Sequence, residues 1–385
     1  MKIRTIETVR NFEGKRVILR VDMNVPLVRG KILDDFRIQA ALPTIKWVLA
    51  HRGRLFIIAH LGEPKGRDTR MSIRPIVSRL EKLLGKKIGF VSDPVKENPD
   101  SHSTPILFSE NLRFWPGEQK NEAKFARSIA RWGDVYVNEA FSVSHRNAAS
   151  IVQLPQLLPA YAGIDFIKEV THLGKSFKNP KKPFLVIIGG AKVSTKIAYI
   201  EALARRSNFI FIGGAMLNTF LAAKGYEIGK SIYDKDSLSI AKKLLRVKGI
   251  YLPRDVKTLP SLASRAAPKN KKITQVQKNE YIVEVGGAAT EFLVSEIKKS
   301  KTILWNGPLG YMELQKTNEG TARAARALRS SRAEIILGGG DLSGVLAREH
   351  IRNPGIYIST AGGALLELAA NGTLAGIRAL ERRSH

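Results

Sequence analysis

FLVIIGGAK, residues 184–192, decides how the chain is read. Five apolar residues run without a charge into two glycines, an alanine and a lysine. An amphipathic helix breaks such a run with polar residues every third or fourth position; a strand covered on both faces does not. The glycines then mark a turn into a helix, whose first N–H groups are free and whose N-terminus carries partial positive charge, a seat for an anion. The pattern recurs four times downstream: FIFI (209–212) enters Gly213-Gly214, ILW (303–305) enters Asn306-Gly307-Pro308, EIIL (334–337) enters Gly338-Gly339-Gly340-Asp341, and IYI (356–358) leads to Ala361-Gly362-Gly363. One such turn needs glycine for backbone reasons alone. Five in one half of a chain favour a rim of phosphate-binding loops at the carboxyl ends of parallel strands, where open α/β sheets hold their ligands.

Within that rim Lys192 and Lys196 are four residues apart, so on a helix they share a face, either as a pair that reaches toward phosphates or as the ordinary exposed lysines of a basic chain. Asp341 follows three glycines at a helix start. A carboxylate there either caps the helix or holds a Mg²⁺ that bridges nucleotide phosphates. No GxGxxG fingerprint occurs, and GYEIGKS (225–231) is one residue short of the GxxxxGK[ST] loop. The first half of the chain is built differently. Its strands at 16–21, 55–59 and 135–137 alternate with helices at 38–50 and 73–84, and polar side chains cluster just past the strands: Asp22 and Asn24, His60 and Gly62, Arg113, Arg146, with Arg37 beyond. Three arginines and a histidine suit a small phosphorylated carboxylic acid, because the guanidinium fork matches carboxylate and phosphate.

Working outward, 385 residues exceed what one core of ~250–300 residues holds, so two domains are expected. Pro155, Pro159, a helical stretch at 162–177 and KNPKKP (178–183) mark the boundary. The expected division is 1–165 and 166–370, with 371–385 packing back on the first domain. No apolar run approaches the ~18–20 residues of a membrane span, and the start lacks the apolar core of a signal peptide. The chain has no cysteine, which excludes disulfides and thiolate metal sites and makes the cytoplasm the default address. The net charge of +29 is spread along the chain: residues 1–150 hold 27 basic and 16 acidic residues, a net +11, and the rest holds the remaining +18. The densest clusters, at 178–182 and 269–272, are short and poor in aromatics. They read as a solvated basic surface with at most nonspecific affinity for nucleic acid.

RVDMNVP (20–26), DDFRIQAALPTI (34–45), HLGEPKG (60–66), ENLRF (110–114), VNEAFSVSHR (137–146), IGGAKVSTK (188–196), FIGGAMLNTFL (211–221), LPRDV (252–256), ILWNGPLGYME (303–313), ILGGGD (336–341) and STAGGALLEL (359–368) occur in that order. In this set the chain resembles the phosphoglycerate kinase family along nearly its whole length. The resemblance implies an α/β fold of two Rossmann-like lobes with parallel sheets joined by a hinge helix. It also implies reversible phosphoryl transfer between 1,3-bisphosphoglycerate with Mg-ADP and 3-phosphoglycerate with ATP, in a monomer. Asp22, Asn24, Arg37, His60, Leu61, Gly62, Glu63, Arg113 and Arg146 would then form the phosphoglycerate site. Arg37, Lys192, Gly362 and Gly363 would act on the transferring group. Lys196, Gly213, Gly214, Asn306, Pro308, Glu313, Gly338, Gly339, Gly340 and Asp341 would hold the nucleotide, with Asp341 meeting the metal.

Five places depart from the family pattern. Glu63 stands where HLGRP has arginine, and an acid beside a substrate phosphate repels it unless Glu63 turns outward or pairs with Lys65, Arg67 or Arg70. Ala361 replaces the first glycine of TGGGA. Glu139 and Ser142 replace the Asp and Gly of NDAFG, Phe36 replaces a threonine, and VGGAAT (285–290) replaces DIGPxT. A family member that binds or regulates without turnover is the alternative reading these departures motivate.

Overall fold

The computed structural model describes residues 3–28, 30–190, 193–314, 317–359 and 361–381, with the side chains of Thr195 and Asp341 outside the description. The chain divides into two compact units, one of residues 1–172 with 373–385, the other of residues 173–372. A single helix, Ile164–Lys178, carries the chain across the division.

The first unit is built on a parallel six-stranded sheet. Its spatial order is Gly89–Val91, Ile106–Ser109, Arg54–Ile58, Arg16–Val21, Val135–Glu139, Ala160–Ala162. The central strand has five of its six residues buried, and Val17 lies opposite both Leu55 and Val135. Continuous burial is the consequence of helices covering both faces, and it is why these strands lack an alternating pattern. In chain order the six strands run 3-4-2-1-5-6 across the sheet, so the winding reverses between Arg16–Val21 and Val135–Glu139. The C-terminal helix Ala375–Glu381 belongs to this unit, where the Gly376 N–H donates to the Ser144 carbonyl at 2.8 Å.

The second unit repeats the design with Ile250–Tyr251, Phe209–Ile212, Phe184–Ile188, Thr302–Asn306, Glu334–Gly338 and Ile356–Ser359, all parallel. The order here is 3-2-1-4-5-6, with the reversal between Phe184–Ile188 and Thr302–Asn306. All five residues of each of these two strands are buried. A small antiparallel sheet of Lys269–Lys272, Asp255–Leu259 and Tyr281–Val285 is added to this unit. Sequence reading had no strand at 269–272, because KNKK carries neither apolar nor β-branched side chains; its pairing with Asp255–Leu259 places it. No helix among the described residues is long and apolar enough to cross a membrane.

Candidate active site

Every residue assigned to the first anion site lies past a strand's carboxyl end, around the reversal of the first sheet. Asp22 and Asn24 follow Arg16–Val21, residues 60–63 follow Arg54–Ile58, Arg113 follows Ile106–Ser109, and Arg146 follows Val135–Glu139. Arg37 is the second residue of the helix Phe36–Ala50. A chain of hydrogen bonds joins them. Arg37 Nη1 sits 2.5 Å from Asp22 Oδ2, which also accepts from the Ser142 hydroxyl. Asp22 Oδ1 accepts from the Asn24 N–H at 3.0 Å, and Asn24 Oδ1 accepts from the Gly62 N–H at 2.9 Å. The Gly62 carbonyl accepts from Arg113 Nη1 at 2.5 Å. Asn111 locks the loop by accepting from Leu61 N–H and donating to the Leu61 carbonyl at 3.1 and 2.7 Å.

His60 is buried, and burial first, then four surrounding guanidiniums, hold its pKa well below that of an ordinary histidine. Its Nδ1 lies 3.2 Å from Arg20 Nη2. An arginine only donates, so Nδ1 is the acceptor and the proton sits on Nε2, giving a neutral ring that still donates. Arg20 is itself buried, and its other nitrogens are taken by Ser150 Oγ and the Val21 carbonyl. Burial likewise pushes the neighbouring His145 down to about 4. Sequence reading quotes Arg20 and Asn111 within the motifs but gives neither a role; the signal available is their place within two residues of a strand end.

Glu63 lies within the cluster, as assigned, but pairs with neither Arg67 nor Arg70. Its Oε1 pairs with Arg113 at 2.9 Å and Arg146 at 3.2 Å, inside the cluster. Arg70 is instead paired with Asp68, and Arg67 donates to the Ser92 carbonyl. Two other departures also find partners. The Ser142 hydroxyl holds Asp22, and Glu139 accepts from Thr44 Oγ1 and the N–H groups of Asp165 and Phe166, capping the start of Ile164–Lys178. Ala361 is fully buried and does not adopt positive φ, so its methyl group fits the interior.

In the second unit the five glycine turns separate into two kinds. At the reversal, the turn backbones touch one another. A Cβ on Gly189 would lie 2.0 Å from the Pro308 carbonyl oxygen, and one on Gly214 (φ +59°) would lie 2.4 Å from the Gly190 nitrogen. These glycines are demanded by packing. Gly339 (φ +105°) and Gly340 face nothing within 4 Å, so there the missing side chain leaves bare backbone at the start of the helix Gly340–Arg348. Gly362 is nearly as open, just before the helix Gly363–Asn371. Asn306 Nδ2 reaches toward the carbonyls of Gly338 and Gly362 at 3.3 and 3.4 Å, tying three strand ends together. Lys196 Nζ donates to the Gly189 carbonyl at 2.6 Å, which places its ammonium on the rim.

Beside this rim lies a cavity of about 170 Å³ that Gly214, Pro308 and Glu313 line together with Asn218. Gly213 is not part of the lining; its Cα packs against Leu309. Asn218 was missed. Its Nδ2 is committed to the Ile232 carbonyl at 3.0 Å, and its buried Oδ1 has no partner. Lys192 lies outside the described residues, as does the side chain of Asp341, whose backbone is in the first turn of Gly340–Arg348.

Two doubly wound sheets, one with arginines past its strand ends and the other with bare glycine backbone, are the framework of a two-unit α/β enzyme. The profile of the phosphoglycerate kinase family matches residues 6–371. The chain is 38% identical to the phosphoglycerate kinase of Borrelia garinii subsp. bavariensis, covering 99% of this chain and 100% of that one. It is 37% identical to that of Pelotomaculum thermopropionicum, covering 97% and 98%. The phosphoglycerate kinase structure from Coxiella burnetii superimposes with a TM-score of 0.81 at 34% identity and full coverage of both chains. That from Pyrococcus horikoshii gives 0.83 at 26% identity, covering 98% of each. The chain belongs to the phosphoglycerate kinase family.

Proposed function

We propose that the chain transfers a phosphoryl group reversibly between 1,3-bisphosphoglycerate and ADP, yielding 3-phosphoglycerate and ATP, with Mg²⁺ entering on the nucleotide. The observation that carries the reading is the hydrogen-bonded network from Arg37 through Asp22, Asn24 and Gly62 to Arg113, with Arg146 joined to Arg113 through Glu63. It fixes guanidiniums around a neutral, donating His60, which is the chemistry a phosphorylated carboxylic acid needs.

In the reaction, an oxygen of the ADP β-phosphate attacks the acyl phosphate, and the bond to the carboxylate oxygen breaks. A phosphate oxygen is already anionic, so no general base is required; positioning and charge neutralisation are. Arg37 and Lys192 neutralise the transferring group, aided by the backbone at Gly362 and Gly363. Lys196, the strand end at Gly338 and the open backbone of Gly339 and Gly340 hold the nucleotide phosphates, Gly214 and Pro308 the nucleoside, and Glu313 the ribose. Among the described residues no three acidic or histidine side chains converge on a metal position. Asp341 would supply a carboxylate to Mg²⁺ entering on the nucleotide, and the ion would neutralise phosphate charge there. The enzyme acts as a cytoplasmic monomer in glycolysis.

The test is a coupled assay with 3-phosphoglycerate, ATP and Mg²⁺, with and without chelator. Metal-dependent turnover that disappears in Arg37→Ala supports the reading. A second reading, a family member that binds without turnover, draws on Glu63 occupying two of the site's arginines. Folded protein that binds ATP yet turns over nothing establishes that one instead.

A further inference from the structure

We propose that Glu63 is a resident counter-anion of the phosphoglycerate site: it occupies the seat of a substrate anionic group on Arg113 and Arg146 and is displaced when substrate binds. The proposal rests on the assignment of that site above and adds a residue that sets its affinity.

The geometry is asymmetric. The Arg113 side chain is 7% exposed and fixed by its 2.5 Å bond to the Gly62 carbonyl, whereas Glu63 is 60% exposed. The arginine cannot leave and the carboxylate can, since water takes it up at little cost. Glu63 also satisfies the pair poorly. One oxygen, Oε1, is shared between two guanidiniums at 2.9 and 3.2 Å. The charge count points the same way. Asp22 is committed to Arg37 and Ser142, so Arg113 and Arg146 together carry two positive charges against the single charge of Glu63. A phosphomonoester dianion matches both charges and offers three oxygens where Glu63 offers one. The bound dianion replaces Glu63, and each binding event includes the cost of breaking its two contacts.

Removing the charge therefore tightens the site. Glu63→Gln is expected to lower KM for 3-phosphoglycerate about three- to tenfold, the range of one or two part-exposed ion pairs. KM for ATP and kcat should not move. Asp68→Asn serves as the control, because it removes the same charge from the same loop but from a pair with Arg70. It should leave KM unchanged. Calorimetry with inorganic phosphate, which needs no turnover, should show the same tightening in Glu63→Gln alone.

An unchanged or raised KM together with unchanged phosphate affinity overturns the proposal while leaving the kinase reading intact, and so does equal tightening in Asp68→Asn, which would make the effect one of general charge. If no variant turns over substrate but Glu63→Gln still binds phosphate more tightly, the kinase reading fails and the counter-anion stands. Melting curves of both variants confirm that folding is unaltered, as expected where an amide keeps an acceptor oxygen in place of a part-exposed carboxylate.

Discussion

In the first unit the strand ends carry side chains; in the second they carry bare backbone. The first cluster sits around the point where its sheet reverses its winding; in the second unit the packed glycines Gly189 and Gly214 sit at the reversal, and the bare backbone lies past Glu334–Gly338 and Ile356–Ser359. The site proposed for the first would use guanidiniums, which have to be oriented and partly neutralised, and Asp22, Ser142, Asn111, Arg20 and the Gly62 carbonyl form a supporting layer for them. That proposed for the second would use N–H groups that a helix start already orients, and it requires the absence of side chains at Gly339 and Gly340. A side-chain site is strong but sensitive to charge and pH. A backbone site is insensitive to both and vulnerable to any added Cβ.

The largest effects should come from the charges acting on the transferring group. Arg37→Ala and Lys192→Ala should each lower kcat by about 10²–10³, roughly 3–4 kcal/mol of transition-state stabilisation. Lys192→Ala should leave nucleotide affinity nearly intact. Measured by steady-state kinetics, a large rise in KM for ATP with kcat unaltered would make Lys192 a part of the binding rim rather than of the reaction.

The two kinds of glycine turn make a sharper test. Gly189→Ala drives a methyl group to 2.0 Å from a backbone oxygen that is itself fixed in a turn, so it should cost about 3 kcal/mol of stability. Gly340→Ala meets nothing within 4 Å and starts a helix, so stability should stay within about 1 kcal/mol. Its methyl group instead covers the backbone, and KM for ATP should rise about tenfold, the equivalent of ~1.4 kcal/mol. Thermal melts paired with kinetics separate the two, and equal melting losses would erase the distinction.

The apolar runs mark three of the six strands in the first sheet and five of the six in the second, since strands buried on both faces announce themselves by continuous hydrophobicity; the short edge strands Gly89–Val91, Ala160–Ala162 and Ile250–Tyr251, and Ile106–Ser109, were not read. Lys269–Lys272 was not legible because its strand state comes from pairing rather than from its own residues. For the site, the motifs named Asp22, Asn24, Arg37, Arg113 and Arg146, which the structure joins in one cluster, but not how they are held. That Glu63 reaches Arg113 and Arg146, rather than nearer cations on its own loop, depends on four strand ends converging in space. That Gly189 and Gly339 differ in purpose is likewise invisible in one-letter code, where both are glycines after a strand.

The smallest expected effect tests whether the side-chain unit is the pH-sensitive one. Burial pushes the Glu139 carboxyl up to about 7 from an ordinary 4.5, against three hydrogen bonds that favour its charged form and with the Asp165 charge adding to the rise. An acid whose folded pKa is raised contributes stability that is complete below its unfolded pKa and lost as pH climbs through the folded value. Between about pH 5 and 8 this group should therefore withdraw ~3 kcal/mol. His60 runs the other way. Held below 6.5, it contributes stability present above that value and lost as pH falls beneath it. The two oppose each other between pH 5 and 6.5, so the wild-type melting profile isolates neither. Glu139→Gln does, because it keeps an acceptor for the helix start and removes the titration. Its Tm relative to wild type should rise by a few degrees from pH 5 to pH 8. A difference that stays constant across that range would mean Glu139 keeps one charge state throughout, and that its three donors outweigh burial.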